Sequence, residues 1–172
     1  MRKPDFQIKV DEGDTADEAS IHFWEKQRQR ALKGTVVVKG DECPWEKGKM
    51  GQIKFYFSPY AYPDTTVQTW VVFEERQHTH SGKHIHQGGV VLYALEGSGY
   101  TVMDGKRYDW EEGDLIILPV QAGGVEHQQF NTDPDKPCRL LAFLYQPHFM
   151  ELGNFYTLLG KPGEDKLQKQ AK

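Results

Sequence analysis

The sequence predicts a mainly β protein, a sandwich or barrel preceded by a helical segment. Beyond residue 51, short segments rich in Val, Ile, Tyr, Phe and Trp are separated by Gly, Pro, Asp or Asn at intervals of roughly 8 to 12 residues. Asp104-Gly105 fits a two-residue hairpin, because a type I′ turn needs positive φ at both central positions. The predicted strands are Gln52–Phe57, Thr66–Arg76, Lys83–His86, Val90–Leu95, Tyr100–Met103, Lys106–Trp110, Leu115–Leu118, Val125–Asn131 and Cys138–Tyr145.

A helix is expected at about Asp17–Leu32, ahead of the strands. Acidic residues begin this stretch, basic residues end it and Gly34 follows, which are the charges and the stop signal typical of helix ends. The next residues, 35–51, contain a short β-branched run and then the letters KGDECPWEKGKMG, which are rich in turn-forming residues. We therefore expect an irregular arm between the helix and the strands.

The chain has 172 residues, which suits one domain with a sizeable core. We expect an N-terminal helix and arm at 1–50, a barrel at 51–147 and a C-terminal segment at 148–172. A short helix is expected early in this last segment. From Lys161 onward the residues offer little to bury, so a disordered tail is expected.

Charge and hydropathy argue against several classes of partner. The chain has 21 Lys and Arg against 25 Asp and Glu, a formal charge of −4, so it lacks the basic footprint of proteins that bind nucleic acid or anionic membranes. It has no run of about 18 apolar residues and no apolar signal segment. Cys43 and Cys138 form no CxxC pattern, so reduced thiols are expected. These features predict a cytoplasmic protein with a small-molecule partner, binding neither nucleic acid nor membrane.

Three histidines carry the strongest functional signal. His84 and His86 are two residues apart, and a strand places side chains with that spacing on one face. His127 follows after enough predicted strands for the sheet to fold over and reach the same cavity. Imidazole binds Zn, Fe, Cu, Ni and Mn to differing degrees, so this pattern predicts a metal site without choosing the metal. Surface or hydrogen-bonded core histidines are the alternative, since the chain contains seven.

The residues around these histidines resemble the two motifs of the cupin superfamily. GKHIHQGGVVLYALEGSG resembles the first motif, in which an HxH strand leads into an LEGxG turn. GDLIILPVQAGGVEHQQFN resembles the second, in which a GD strand leads through Pro to a third His and an Asn. The resemblance covers roughly residues 67–145 and implies a cupin β-barrel, also called a double-stranded β-helix or jelly roll. The matching residues are His84, His86, Glu96, Gly97 and Gly99, then Gly113, Asp114, Pro119, His127 and Asn131.

Val90 departs from the family pattern. Many cupins carry a glutamate here, four residues after the second histidine, as a fourth metal ligand. The chain is therefore similar to the three-histidine cupin oxygenases that act on gentisate, on cysteine and on β-diketones. Three neutral ligands leave the full positive charge of an ion and several coordination positions available, which suits an anionic, chelating substrate and then O₂ beside it. The alternative is that the missing carboxylate weakens the metal site and the barrel only binds a ligand.

Residues in phase with the three histidines are expected to form the pocket. Val90 and Leu92 are predicted as its apolar wall, with Gln129 and Gln87 as polar groups that select a substrate or hold a water. Arg76 is a candidate for binding a substrate carboxylate in bidentate fashion, and a solvated surface arginine is the alternative.

Other residues near the motifs leave choices open. The strand that contains Arg76 could also present Phe73 or Glu75 to the pocket. A second HxH pair, His78 and His80, could line the mouth, orient a ligand or shuttle protons; as exposed loop histidines they would need no function. The pair His84 and His86 is preferred as the ligand pair because the second histidine lies ten residues before Glu96, the distance seen in the family.

The leading functional hypothesis is a non-haem iron oxygenase that acts on a small organic or aromatic acid. Fe(II) is the favoured cofactor, with Zn, Ni or Mn as alternatives. A metal-dependent lyase or isomerase and a non-catalytic small-molecule-binding cupin are the competing functions, and no catalytic residue is assigned. A homodimer is expected, since Phe23, Trp24 and Trp45 of the N-terminal arm could cover a neighbour, or equally their own barrel.

Overall fold

The computed structural model describes residues 15–60, 62, 64–153 and 155–163, which form two antiparallel sheets in a β-sandwich of the jelly-roll type. The all-β prediction is thereby confirmed. The first sheet has the order β1-β2-β3-β10-β5-β8 and the second the order β11-β4-β9-β6-β7. The elements are α1 (Ala16–Lys33), β1 (Glu46–Lys47), β2 (Gln52–Phe57), β3 (Trp70–Gln77), β4 (His84–His86), β5 (Val90–Glu96), β6 (Ser98–Met103), β7 (Lys106–Glu111), β8 (Leu115–Leu118), β9 (Val125–Asn131), β10 (Cys138–Tyr145), α2 (Gln146–Glu151) and β11 (Tyr156–Leu158).

Most predicted strands agree with the observed ones to within two residues at each end, and the clearest exception is the start of β3. That strand begins at Trp70 rather than Thr66. The backbone N–H of Thr66 donates to the carbonyl of Thr35 at 3.2 Å, so this stretch pairs with the N-terminal arm instead of a neighbouring strand. The predicted hairpin at Asp104-Gly105 has φ of 49° and 79°, as a type I′ turn requires.

The C-terminal segment differs from the expectation of a short helix alone. A helix does form, as α2, but the chain then returns as β11 and pairs with β4 in the second sheet. Tyr156 lies opposite His86 and Leu158 opposite His84 in this pairing. The predicted disordered tail falls mainly on residues 164–172, which lie outside the described residues.

The N-terminal helix is set by its own capping. Thr15 and Glu18 form a capping box, in which the Thr15 side chain accepts from the Glu18 backbone and the Glu18 carboxylate accepts from the Thr15 N–H at 2.8 Å. No residue of α1 is buried, and Ile21 and Trp24 are 59% and 68% exposed. Neither helix in the described part of the chain has the length and apolar character needed to cross a bilayer.

The core fills the space between the sheets and is centred on β10. Cys138, Leu140 and Ala142 alternate along this strand and are fully buried, as expected for the inward face. β10 pairs with β3 on one side and β5 on the other, where Ala94 is also fully buried. Both cysteines are free thiols.

A buried ion-pair network covers the outer face of β3. The Glu74 carboxylate, fully buried, contacts the Arg139 Nε at 2.5 Å, the Tyr56 hydroxyl at 2.8 Å and the Lys54 Nζ at 3.0 Å. Burial opposes ionisation of Glu74, but the hydrogen bonds from Arg139, Tyr56 and Lys54 outweigh it and lower the pKa of that carboxyl. Glu74 is therefore a charged residue that ties β2, β3 and β10 together.

We expect Leu140→Ala to lower the free energy of unfolding by about 2–5 kcal/mol, because a fully buried leucine would leave a cavity at the centre of the core. Ile117→Ala is the matched control, since that side chain is 64% exposed on β8. Urea unfolding followed by circular dichroism measures both. A loss of similar size in the two variants would contradict this placement of the core.

Candidate metal centre

The pairing of β4 with β9 brings the three predicted histidines together. His84 lies directly opposite His127 in the strand register, and His86 shares a face with His84. The ring centroids of His84 and His127 are 4.0 Å apart, and those of His86 and His127 are 4.8 Å apart. One ring nitrogen from each residue lies within 4.8 Å of the others, and all three side chains are buried. This is the arrangement of a three-histidine metal site.

Backbone hydrogen bonds orient two of the imidazoles. The Nδ1–H of His84 donates to the Gly82 carbonyl at 2.8 Å, and the Nδ1–H of His127 donates to the Val125 carbonyl at 3.1 Å. A neutral imidazole that donates through Nδ1 keeps its lone pair on Nε2, the form that binds a metal. These two rings are therefore held ready to ligate an ion.

His86 has a different hydrogen bond. Its Nδ1 accepts the backbone N–H of Gly88 at 3.0 Å, so the proton of a neutral His86 lies on Nε2. The hydrogen bonding of His86 thus differs from that of His84 and His127, whose Nδ1 atoms donate to backbone carbonyls.

The glycine pair after β4 allows the chain to turn directly beside the histidines. Gly88 and Gly89 have φ of 82° and 71°, a region that favours glycine. A Cβ on Gly88 would lie 1.8 Å from the Pro119 carbonyl oxygen, so a side chain cannot fit there. The turn leads straight into β5, whose first residue, Val90, faces the cavity.

Burial keeps the three imidazoles neutral. It lowers the pKa of His84, lowers that of His86 to about 4 and lowers that of His127 to about 3; electrostatic repulsion from neighbouring histidines adds to the effect at the last two. The neutral imidazole is the form that binds divalent transition ions. Three buried, neutral and convergent nitrogen donors therefore fit such an ion.

The histidines lie in the wall of a cavity of about 490 Å³ between the two sheets. Most of the lining is apolar and comes from both sheets and α2, and the volume suits a small organic ligand. Three of the predicted pocket residues, Val90, Leu92 and Gln129, line this cavity. The Ser81 hydroxyl donates to the Gln129 Oε1 at 2.7 Å, which fixes the side chain of Gln129 in the cavity wall.

Two predicted pocket residues are not among those that line the cavity. Strand alternation sends Phe73 and Glu75 inward and Arg76 to the opposite face of β3, where its guanidinium lies 4.4 Å from the Trp45 ring centroid. Gln87 is buried, but its Oε1 accepts the backbone N–H of Phe155 at 2.8 Å. Its side chain fastens the segment that leads into β11.

The second HxH pair also lies away from the cavity lining. His80 is half-buried, and its ring packs against Phe130 with centroids 5.6 Å apart. The carbonyl of His78 accepts a hydrogen bond from the Asn131 amide at 3.1 Å. Asn131 also donates to carbonyls of the following loop, at Asp133 and Lys136, so its side chain ties that loop to the sheet.

The C-terminal segment contributes cavity residues that sequence reasoning missed. Phe149 and Met150 of α2 and Tyr156 of β11 line the cavity, and the Tyr156 ring lies 5.2 Å from that of His84. No motif or alternation marks these residues as part of the site. The pairing of β11 with β4, which places them, depends on contacts distant in the sequence.

Comparison with known proteins agrees with this architecture. Residues 71–144 match a family described as a cupin domain. The part of the chain from β3 to β10 is thus similar to cupin domains. Over 104 residues it is 32% identical to acireductone dioxygenase 4 of Oryza sativa subsp. japonica, an alignment covering 57% of this chain and 50% of that protein. The chain spans about half or less of the length of the curated relatives it matches.

Solved structures share the cupin fold. A cupin-like protein from Thermotoga maritima superposes with a TM-score of 0.51 at 22% identity, over 74% of this chain and 97% of that one. A variant of salicylate 1,2-dioxygenase from Pseudoaminobacter salicylatoxidans, in complex with gentisate, gives 0.53 at 16% identity, over 85% of this chain and 38% of that one. At these identities the likeness establishes the fold.

We expect the stability of the metal-free protein to fall as the pH drops below about 6.5. The pKa values of His86 and His127 are lowered on folding, so the unfolded chain binds more protons between the ordinary value of 6.5 and the folded values. The contribution of these histidines to the free energy of unfolding is fully present above pH 6.5. It decreases as the pH falls from 6.5 towards the folded pKa values, by up to about 1.4 kcal/mol per pH unit for each histidine.

Melting temperatures measured between about pH 7.5 and 4.5 check this expectation. His127→Gln should flatten the decline, whereas His80→Gln, at a histidine outside the cavity lining, should leave it unchanged. Parallel profiles for the wild type and His127→Gln would contradict the assignment of a neutral, buried His127.

Proposed function

We propose that the protein is a metal-dependent dioxygenase that holds a divalent transition ion, Fe(II) by preference, at His84, His86 and His127. The observation that carries the proposal is the convergence of three buried, neutral imidazoles on one wall of a mostly apolar cavity. The relatives named acireductone dioxygenase support this activity class. The substrate is a small organic molecule that chelates the ion through adjacent oxygen atoms.

The residues of the cavity have distinct tasks in this function. When bound, the ion supplies the redox chemistry that joins a chelating substrate to O₂. Val90, Leu92 and Leu118 give the cavity an apolar wall that excludes water around the reacting atoms. The amide nitrogen of Gln129, held by its bond to Ser81, donates to an oxygen of the substrate and orients it.

A metal-dependent lyase or isomerase is the second candidate. It is favoured by a group of the cavity that could move a proton, the Glu75 carboxyl. In that function the ion would polarise a carbonyl, and O₂ would not be consumed. Turnover under argon therefore separates the two candidates.

We infer in addition that the chain forms a homodimer. The helix α1 presents Ile21, Trp24 and Leu32 to solvent at 59%, 68% and 67% exposure, an apolar surface that a second copy would cover. Light scattering of the wild type and of Trp24→Glu measures this, and a monomeric wild type would overturn it.

We expect purified wild-type protein to contain bound transition metal and His127→Ala to lose at least about tenfold in metal affinity, since one of three ligands is removed. His80→Ala is the matched control and should keep the metal. Elemental analysis measures the metal, and an oxygen electrode measures O₂ uptake with gentisate, catechol or acetylacetone. Uptake that persists in His127→Ala would overturn the proposal.

A further inference from the structure

The charges around the cavity restrict the ligand that it can hold. Among the described residues that line it, none is a lysine or arginine, and Glu75 is the acidic one. A carboxylate buried in such a cavity would have the ion as its cationic partner and would lie in the same apolar space as a second carboxyl. Two like charges in one apolar site disfavour each other, so an ionised Glu75 would repel a carboxylate ligand. A neutral chelating ligand avoids this repulsion, in contrast to the anionic substrate that three neutral metal ligands alone suggest.

Glu75 is fixed in the wall rather than carried on a loop. It lies within β3, opposite Ile53 of β2 and Leu140 of β10, and its side chain is 3% exposed. Gln77 Nε2 donates to its Oε2 at 3.2 Å, and the residue lines the cavity.

The environment of Glu75 contrasts with that of its neighbour Glu74. Glu74, on the outer face, contacts two cationic side chains and stays charged. Burial raises the pKa of Glu75 to about 7, with the hydrogen bond from Gln77 opposing the shift. Glu75 can therefore either hold or accept a proton near neutral pH, as a group that transfers protons must.

The other titratable groups that interact with Glu75 keep their protons. Cys138 of β10 and Tyr156 of β11 both interact electrostatically with Glu75. Burial raises the pKa of each to about 12, and the charge of Glu75 adds to the shift. The residues paired with Glu75 across the sheet, Ile53 and Leu140, are uncharged. Glu75 is thus the group in this part of the cavity that changes its protonation near neutral pH.

We propose that Glu75 accepts the proton of a hydroxyl group on a neutral chelating ligand, so that the cavity selects an enol or phenol over a carboxylate. The O–H bond of the ligand breaks, its electron pair stays on the ligand oxygen next to the ion, and the proton joins the Glu75 carboxylate. The combined charge of the ligand and Glu75 does not change. The inference rests on the proposed function because it requires an ion at the three histidines.

Glu75→Gln tests this inference, with binding measured under argon on protein loaded with iron(II). The variant keeps the size of the side chain and its polar contact with Gln77 but cannot accept the proton. The probes are acetylacetone, a neutral chelating enol, and oxalate, a chelating dianion. We expect the Kd for acetylacetone to rise about tenfold or more, which corresponds to one unit of lost proton affinity. The Kd for oxalate should stay the same or fall.

Proton release gives a second readout that a purely structural role of Glu75 would not change. Calorimetry at about pH 8, in two buffers with different ionisation enthalpies, counts the protons released when acetylacetone binds. The wild type should release almost none, because Glu75 takes the proton, and Glu75→Gln should release one. Glu96→Gln is the matched control, since it makes the same change at a carboxyl that pairs with Arg139 outside the cavity. It should behave as the wild type.

The outcomes separate this inference from the proposed function. Equal affinity and equal proton release in the wild type and Glu75→Gln, both loaded with iron(II), would overturn the role of Glu75 alone. Tighter binding of oxalate than of acetylacetone by the wild type would overturn the ligand class. A wild type that binds no ion would overturn the proposed function and this inference together. Glu75→Met, which suits the apolar lining, serves as a second variant and should show the same loss if Glu75→Gln fails to fold.

Discussion

The register between β4 and β9 is the constraint on which the site depends. Because His84 lies opposite His127, a slip of one residue would send His127 to the other face of the sheet and separate the ligands. β4 has only three residues, so its hydrogen bonds to β9 alone hold this register only weakly. Two further features hold the register. One is the turn at Gly88, directly after β4, and the other is the pairing of β11 along the edge of β4 that faces away from β9. Metal binding is therefore a property of the sheet rather than of one motif.

The two faces of β3 have different electrostatic environments. Its outer face holds a charged network around Glu74, whose partners come from β2 and β10. Its inner face holds Glu75 in an apolar cavity with an uncharged hydrogen-bond partner. The two adjacent glutamates thus have different roles. Glu74 links strands of the sheet, and Glu75 is the group proposed to accept a proton in the cavity. Strand alternation alone produces this division.

The sequence predicted those features that depend on local chemistry. The hairpin at Asp104-Gly105, the boundaries of β2, β8, β9 and β10, and the grouping of the three histidines follow from turn residues, alternation and motif spacing. Features that depend on distant contacts could not be predicted in this way. β11 reaches β4 because of the whole chain path, and Arg76 faces away from the cavity because the phase of β3 places Glu75 inward. The sequence offered both residues of that strand as candidates, and the strand's phase decides between them.

Gln87 and Gly124 illustrate how supporting positions escape a search for ligands. Gln87 was expected to contact a substrate, yet its side chain binds the backbone of the segment before β11. Gly124 has φ of 83°, and a Cβ there would lie 2.7 Å from the Phe155 ring. Both residues thus accommodate the returning C-terminal segment, and neither role is visible until that segment is in place.

The short strand β11 also has a consequence for association between chains. Without it, β4 would be the edge of the second sheet, and its open N–H and C=O groups would lie next to a row of metal-binding side chains. Open edges of this kind are templates for intermolecular strand pairing. The edge is instead a strand of three residues that is followed closely by Gly160 and Pro162, which give an incoming strand little to pair with. The segment that completes the cavity therefore also protects the sheet against aggregation.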